Sequence, residues 1–261
     1  VIQTFLFATY FTKQIAASES AGQTQWSLAI GMAGVVVALT GPVLGAIADQ
    51  GGRRKPWIAP LAGLCIVAAA CLWFVHPGAA VWWPLVLVAL GTVGLEGSAV
   101  FYNAMLPDLA TGRRMGRWSG WGWAAGYMGG LACLLAALLF LVGIGERSAA
   151  RQADALDIRA AFLLVAGWFA LFALPFFLLT PDRPSTGLPL REAAGRGVRQ
   201  LIQSARQIRR YRHIVLFLVA RLFYIDGLAS IFALGGVYAA GVFGMDETDI
   251  LMFGIGMNVA A

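Results

Sequence analysis

The feature that most restricts this chain is a succession of apolar runs, each near 20 residues long and separated by short polar loops. About 20 mainly apolar helical residues cross the hydrocarbon core of a bilayer. On that scale, segments 1–17, 26–48, 57–75, 81–106, 118–144, 160–179 and 214–243 read as membrane helices, and an eighth opens near residue 250 and runs to 261. Short alternating segments of the kind that build strand barrels are not seen in the sequence. Of the 261 residues, 59% are hydrophobic and 12% charged, about half the charge of a soluble domain. The chain is therefore expected to be an all-α polytopic membrane protein. Both ends of the sequence fall inside apolar runs, so it reads as a piece of a longer protein.

Charge sets the expected orientation. Arg53, Arg54 and Lys55 lie in the loop after the second segment, and Arg113, Arg114 and Arg117 in the loop after the fourth. The connector after the sixth carries Arg183, Arg191, Arg196, Arg199, Arg206, Arg209, Arg210 and Arg212. Alternating helices place these loops on one side, which the positive-inside rule makes cytoplasmic. A bacterial cytoplasmic membrane is the expected location. The net charge of +6 does not indicate nucleic acid, because the arginines sit between apolar runs and not on the basic face of a soluble module. Cys65, Cys71 and Cys133 lie in apolar runs without metal-ligand spacing and read as small packing residues. No metal or cofactor is expected.

The connector divides the chain into a six-helix half (1–180), a basic linker (181–212) and the start of a second half (213–261). Within the linker, Val198, Leu201, Ile202, Ala205 and Ile208 recur at helical spacing with Arg199, Arg206, Arg209 and Arg210 around them. Two readings stay open: an amphipathic helix facing anionic headgroups, or a basic linker that serves topology alone.

One loop carries a dense pattern. Gly45 is followed by Asp49, Gly51, Gly52, Arg53, Arg54 and Lys55. This is a helix ending in small residues and an acid, then a glycine turn and a basic cluster. Gly45 permits close helix approach, and Gly51 and Gly52 can supply positive φ. Asp49 at a helix C-terminus opposes the macrodipole and needs a cation, for which Arg53 is the nearest candidate. The run resembles the cytoplasmic signature of the major facilitator superfamily, G-x-x-x-D-x-x-G-R-[RK]-[RK]. The resemblance implies a six-plus-six helix layout and a gate latch that contains Asp49 and Arg53. Phe101 to Asp108, Arg117 to Gly130 and Leu222 to Gly227 are similar to the branch that includes the autophagy-linked vacuolar amino-acid exporter and its bacterial relatives. The G-P-x-x-x-G-G element of drug–proton antiporters is missing, since Tyr127 follows Gly126.

Polar groups inside the spans are the site candidates, because each costs a few kcal/mol in hydrocarbon. Glu96 and Asn103, seven residues apart, share one face of the fourth segment. Glu96 either binds a proton or a substrate amino group, or is a structural glutamate. Asp226 lies near mid-membrane in the seventh segment, about 140° from Arg221. It reads as a coupling carboxylate or as partner to Lys13 or another cation. Gln3 and Tyr10 share a face of the first segment and are candidates to line a pathway. Glycines 116, 120, 122, 126, 129 and 130 give the fifth segment a small-residue face for close or sliding helix contact.

These readings predict a secondary transporter for a small polar solute, an amino acid among the options, working by alternating access with proton coupling as one variant. A monomer is the favoured state. The alternatives are a non-transporting receptor or assembly protein of the same fold, or a lipid flippase. A membrane enzyme is disfavoured by the absence of H-E-x-x-H, G-x-S-x-G and phosphate-loop patterns.

Overall fold

The computed structural model describes residues 6–110, 114–142, 155–207 and 212–260, and every regular element among them is helical. Helix α1 covers Ala8–Tyr10 and passes into a π-helical turn, Phe11–Ile15. It is followed by α2 (Glu19–Gly51), α3 (Lys55–Cys71, tightening to a 3-10 turn over Leu72–Phe74) and α4 (Trp82–Leu109). Next come α5 (Met115–Ala136, continued as a π-helical stretch Ala137–Val142) and α6 (Leu156–Leu179). The connector contains α7 (Leu190–Gln207), and α8 (Arg212–Phe243) and α9 (Glu247–Ala260) complete the order. Among the described residues, five helices are long and apolar enough to cross a bilayer: α2, α3 with its 3-10 turn, α4, α5 and α6. The fold is that of an integral membrane protein of the all-α, major-facilitator type.

Helix α2 is longer than its apolar run. It begins at Ser18, whose extended backbone and side chain cap the helix, with Oγ accepting from the Ala21 amide at 3.2 Å. The polar first turns pair within the helix, with Thr24 donating to the Ser20 carbonyl at 2.9 Å and Ser27 to that of Gln23 at 2.8 Å. They form two extra turns that apolarity cannot reveal. The other end stops at Gly52, whose φ of 85° is the left-handed conformation that glycine adopts freely. Gly51 is the last helical residue, so only one glycine of the expected pair has positive φ.

The main core lies toward the end of the bundle remote from the basic loops. It joins Leu6, Phe7, Tyr10 and Phe11 of the first segment to Trp26 of α2, Leu72 and Val75, Leu87 and Val88 of α4, Leu134 and Leu138, and Ile158 and Phe162 of α6. Phe7 meets the Phe162 ring edge-on at 4.9 Å and the Trp26 ring at 5.9 Å, arrangements that aromatic quadrupoles favour. Val237 of α8 and Leu251 of α9 enter the same core. At this end too, Lys13 Nζ donates to the Met245 carbonyl at 3.4 Å. Arg159 is buried here: its Nε donates to the Trp73 carbonyl at 2.7 Å, its guanidinium lies over the Trp73 ring at 4.9 Å, and Nη2 stands 3.2 Å from His76 Nε2.

Close helix packing falls on α4, not on the glycine-rich fifth segment. A Cβ on Gly94 would stand 2.6 Å from the Leu61 carbonyl oxygen and 2.8 Å from the Cys65 amide nitrogen of α3. On α5, a Cβ at Gly116, Gly120, Gly126 or Gly129 would meet nothing within 4 Å. Trp118, Trp121 and Trp123 on that helix are also exposed. The expectation of an α5 glycine face in tight contact is therefore not met among the described residues.

This difference makes a direct prediction. Gly94→Ala forces backbone apart and should lower stability by about 1–3 kcal/mol. Gly126→Ala meets open space and relieves the glycine entropy cost, so it should be neutral or slightly stabilising. Thermal unfolding of the two variants in detergent checks the order.

Candidate functional site

The basic end of the bundle is organised around one guanidinium. Arg54 sits just ahead of the first turn of α3, and its side chain is only 6% exposed. Nη2 donates to Asp49 Oδ1 at the end of α2 at 2.9 Å, and Nη1 to Asp108 Oδ2 near the end of α4 at 2.6 Å. Nη1 also donates to the Ala104 carbonyl. Two carboxylates and a carbonyl thus take up a charge that the apolar interior would otherwise reject. The cation that satisfies Asp49 is Arg54 and not Arg53, which corrects the sequence expectation. Arg53 is exposed and borders a shallow depression with Lys55, Pro56, Phe177 and Arg183. Arg54 turns inward because α3 starts immediately after it, leaving its side chain between the ends of α2 and α4.

The connector closes over this cluster. The Asp182 carboxylate accepts from the amides of Arg54 (3.0 Å) and Lys55 (3.0 Å). It supplies a negative charge at the α3 N-terminus, where free amides and the helix dipole favour one. Lys55 Nζ donates to the Phe177 carbonyl at 2.6 Å, near the C-terminus of α6, the end at which a cation is favoured. Arg183 pairs with Asp108, and this hydrogen bond pushes the Arg183 guanidinium pKa upward. Thr186 binds the last turn of α2, through its amide to the Gly51 carbonyl (3.1 Å) and its hydroxyl to that of Gln50 (2.7 Å). A Cβ at Gly52 would collide with the Pro184 carbonyl oxygen, so that glycine is required by space as well as by φ.

Helix α7 then packs on α2. A Cβ at Gly197 would stand 2.7 Å from the Ala46 carbonyl, and Gln50 Nε2 donates to Gln200 Oε1 at 2.6 Å. By contrast, nothing lies within 4 Å of a Cβ added at Gly45. Close approach at the motif is made by the glycine of α7. Beside this contact, a groove of about 550 Å³ is lined by Gly41, Pro42, Gly45, Asp49, Gln200 and Ser204.

The intramembrane candidates are arranged differently. The buried face of α4 carries Leu87, Gly91, Gly94, Ser98, Phe101 and Met105. Glu96 and Asn103 are exposed on the opposite side, about 20° apart at 100° per residue. Thr92 shares that side and binds the Val88 carbonyl at 2.8 Å. The α2 neighbour of α4 is reached at Val100, 3.7 Å from a Cβ on Gly41, and the α5 neighbour at Tyr102, whose hydroxyl is 4.0 Å from a Cβ on Gly122. The side with Glu96 therefore opens between α2 and α5. Asp226 is exposed near the middle of α8. It stands eleven residues before Val237, or about 20° round the helix, hence on the face that enters the core at the far end. Neither Glu96 nor Asp226 has a hydrogen-bonding or ionic partner among the described residues, and no contact joins the two. Arg221 is exposed on the other side of α8.

Tyr10 does not belong to this set. It is 1% exposed, and its hydroxyl donates to the Val75 carbonyl at 3.3 Å. The expectation that it lines a pathway is corrected: it is a core residue whose polar tip is used in packing. Gln3 lies outside the described residues. Asp108, Asp182 and Arg183, all essential to the basic-end cluster, were not singled out from the sequence. An acid directly after Pro107, and another three residues after the last apolar residue of α6, were the available signals.

Comparison with known proteins agrees with this architecture. The family model described as "Vacuole effluxer Atg22 like" matches residues 23–261. The chain belongs to the Atg22-like family. It is also 27% identical over 260 residues to the "Uncharacterized MFS-type transporter YxiO" of Bacillus subtilis (strain 168), covering 97% of this chain and 59% of that protein. The chain thus spans about three-fifths of the length of this curated relative. No solved structure matches. In this Atg22-like chain, the basic-end cluster ties α2, α3, α4, α6 and the connector together through side chains that lie far apart in sequence.

Since Arg54 is buried between two acids while Arg53 is exposed, their substitutions should differ. Arg54→Gln removes the buried cation that Asp49 and Asp108 share, while those two acids keep contact with water, and should lower stability by about 1–3 kcal/mol. Arg53→Gln should change it by less than about 0.5 kcal/mol. Equal losses in thermal unfolding would contradict the assignment.

Proposed function

We propose that this chain forms the first six-helix half and the start of the second half of a secondary transporter for a small polar solute, an amino acid being one candidate. The basic end faces the cytoplasm, following the positive-inside rule. Solute binds between the halves near mid-membrane, where Glu96 and Asn103 of α4 face Asp226 of α8 across a water-filled cleft. Asp49, Arg54 and Asp108 hold the cytoplasmic end of the first half as a unit, with Gly45 in the last turns of α2 and Gly52 and Arg53 in the loop after it, and serve the gate and not the solute.

The observation that carries this reading is the placement of the two unpartnered carboxylates. An ionised group on a lipid-facing surface is strongly disfavoured, so one at mid-span must face water or a partner. Glu96 occupies the side of α4 that opens between α2 and α5. Asp226 occupies the side of α8 that packs on the first half one end further on. In this reading both line one interior cleft. The remote end is closed by Val237, Leu251 and the bond from Lys13 to Met245, an arrangement that suits a cleft open toward the basic end.

Such a cleft, closed at one end only, fits alternating access by tilting of the halves. Proton coupling follows if Glu96 or Asp226 exchanges a proton with the cleft water as the solute binds. The test uses full-length protein in proteoliposomes, with amino acids as trial solutes and an imposed pH gradient. The expected result is gradient-driven uptake that falls at least about tenfold in Glu96→Gln, a change that removes the charge with little change of shape. Uptake unaffected by both the gradient and the substitution would remove the proton role. No saturable uptake or counterflow of any solute would remove the transporter reading itself.

A further inference from the structure

Helix α7 is divided lengthwise into three strips. Ala193, Gly197 and Gln200 face α2, where Ala193 is buried and Gly197 touches the Ala46–Ile47 backbone. A second strip carries Val198 and Ile202, apolar yet exposed at 37% and 48%. A third, which overlaps the second at Arg191, carries Arg191, Arg199 and Arg206, all exposed and without an ionic partner among the described residues. Arg196 differs, being paired with Glu192 at 2.6 Å. At 100° per residue, Ile202 lies within about 60° of each of the three unpaired arginines.

We propose that α7 is a docking surface for the anionic headgroups of the adjacent membrane leaflet, bound by Arg191, Arg199 and Arg206 while Val198 and Ile202 lie against the headgroup–acyl boundary. Neither a free cytoplasmic helix nor a purely topogenic linker needs an apolar strip beside its arginines. A helix that rests on a membrane surface needs both. The seat on α2 fixes the depth of the helix. Gly197 brings it into backbone contact with a membrane-spanning helix at its basic end, so the arginine strip is held beside the leaflet and not out in solution. Guanidinium groups suit this partner because their planar donors match phosphate oxygens. The apolar strip selects a bilayer over a soluble phosphate, which would use the arginines alone.

The chemistry has a further consequence. The same segment binds the α2 end through Thr186 and Gln200 and the α3 end through Asp182. Headgroups that hold α7 therefore also hold the Asp49–Arg54 cluster. Leaflet charge would then act on the gate through the connector.

The experiment is hydrogen exchange on full-length protein in nanodiscs, comparing phosphatidylcholine alone with phosphatidylcholine containing about 30% phosphatidylglycerol. Amides of residues 190–207 should exchange more slowly in the anionic discs, by on the order of a hundredfold for three arginines near the surface. Raising the salt should reduce the difference. The triple variant Arg191→Gln, Arg199→Gln, Arg206→Gln should lose it, and the corresponding triple lysine variant should keep it. All three side chains are exposed, and an unchanged unfolding temperature verifies that the fold is retained. Equal exchange in both lipids, or a lipid effect that survives the glutamine variant, overturns the proposal. So does the same slowing on adding inorganic phosphate to neutral discs, which would mean an anion site without a membrane surface. The readout does not involve transport, so its outcome is independent of the solute-carrier reading.

Discussion

A guanidinium can be buried at the end of an apolar bundle only if its charge and its donors are met. At Arg54 that requirement draws together segments that local structure would leave apart. Asp49 comes from the end of α2, Asp108 and the Ala104 carbonyl from the end of α4, and Asp182 from the connector caps the same α3 terminus. The neighbouring Lys55 adds the end of α6. Four membrane helices are thereby tied at one end by ionic and hydrogen-bond contacts, while an aromatic and aliphatic core gathers them at the other. The two ends are held by different physics. An ionic cluster in partial contact with water can respond to hydration and to a competing partner, whereas the apolar core responds mainly to packing.

This division explains where polar groups are tolerated. At the ends they are paired: Arg54 with acids at one, Arg159 against Trp73 and His76 at the other. In the middle, Glu96 and Asp226 are exposed and have no partner among the described residues. The proposed hydrated cleft would lie between the paired ends, at mid-depth, beside α2, α4, α5 and α8. The close contact of α3 with α4 at Gly94 makes these two helices a rigid backing for that cleft.

Much of this was legible in the sequence, because the membrane makes length and apolarity sufficient to locate helices. The predicted segments 57–75 and 81–106 fall within two residues of α3 and its 3-10 turn at either end, and within three of α4. The shared face of Glu96 and Asn103 held because α4 runs without interruption across both. Tyr10 failed for a different reason: its ring packs against Phe7 and its hydroxyl reaches the Val75 carbonyl, 65 residues away, a partner that local spacing cannot reveal. The residue-level pairing at the motif was also beyond local reasoning. Arg53 and Arg54 are adjacent and chemically identical, and only the position of the α3 start decides which one turns inward. Asp108 and Asp182 reach Arg54 from 54 and 128 residues away, separations that one sequence cannot bridge.

The central claim is that mid-membrane carboxylates on α4 and α8 face one aqueous cleft. Cysteine accessibility tests it most directly: single cysteines at positions 96, 103 and 226 of otherwise cysteine-free, full-length protein, exposed to a water-soluble, membrane-impermeant thiol reagent from the basic side. Position 139, an exposed leucine on the π-helical continuation of α5, serves as the lipid-facing control. The account predicts that 96, 103 and 226 are modified while 139 is protected. If 96 and 226 resist the reagent as position 139 does, both carboxylates face lipid or packed helix, and the cleft does not exist.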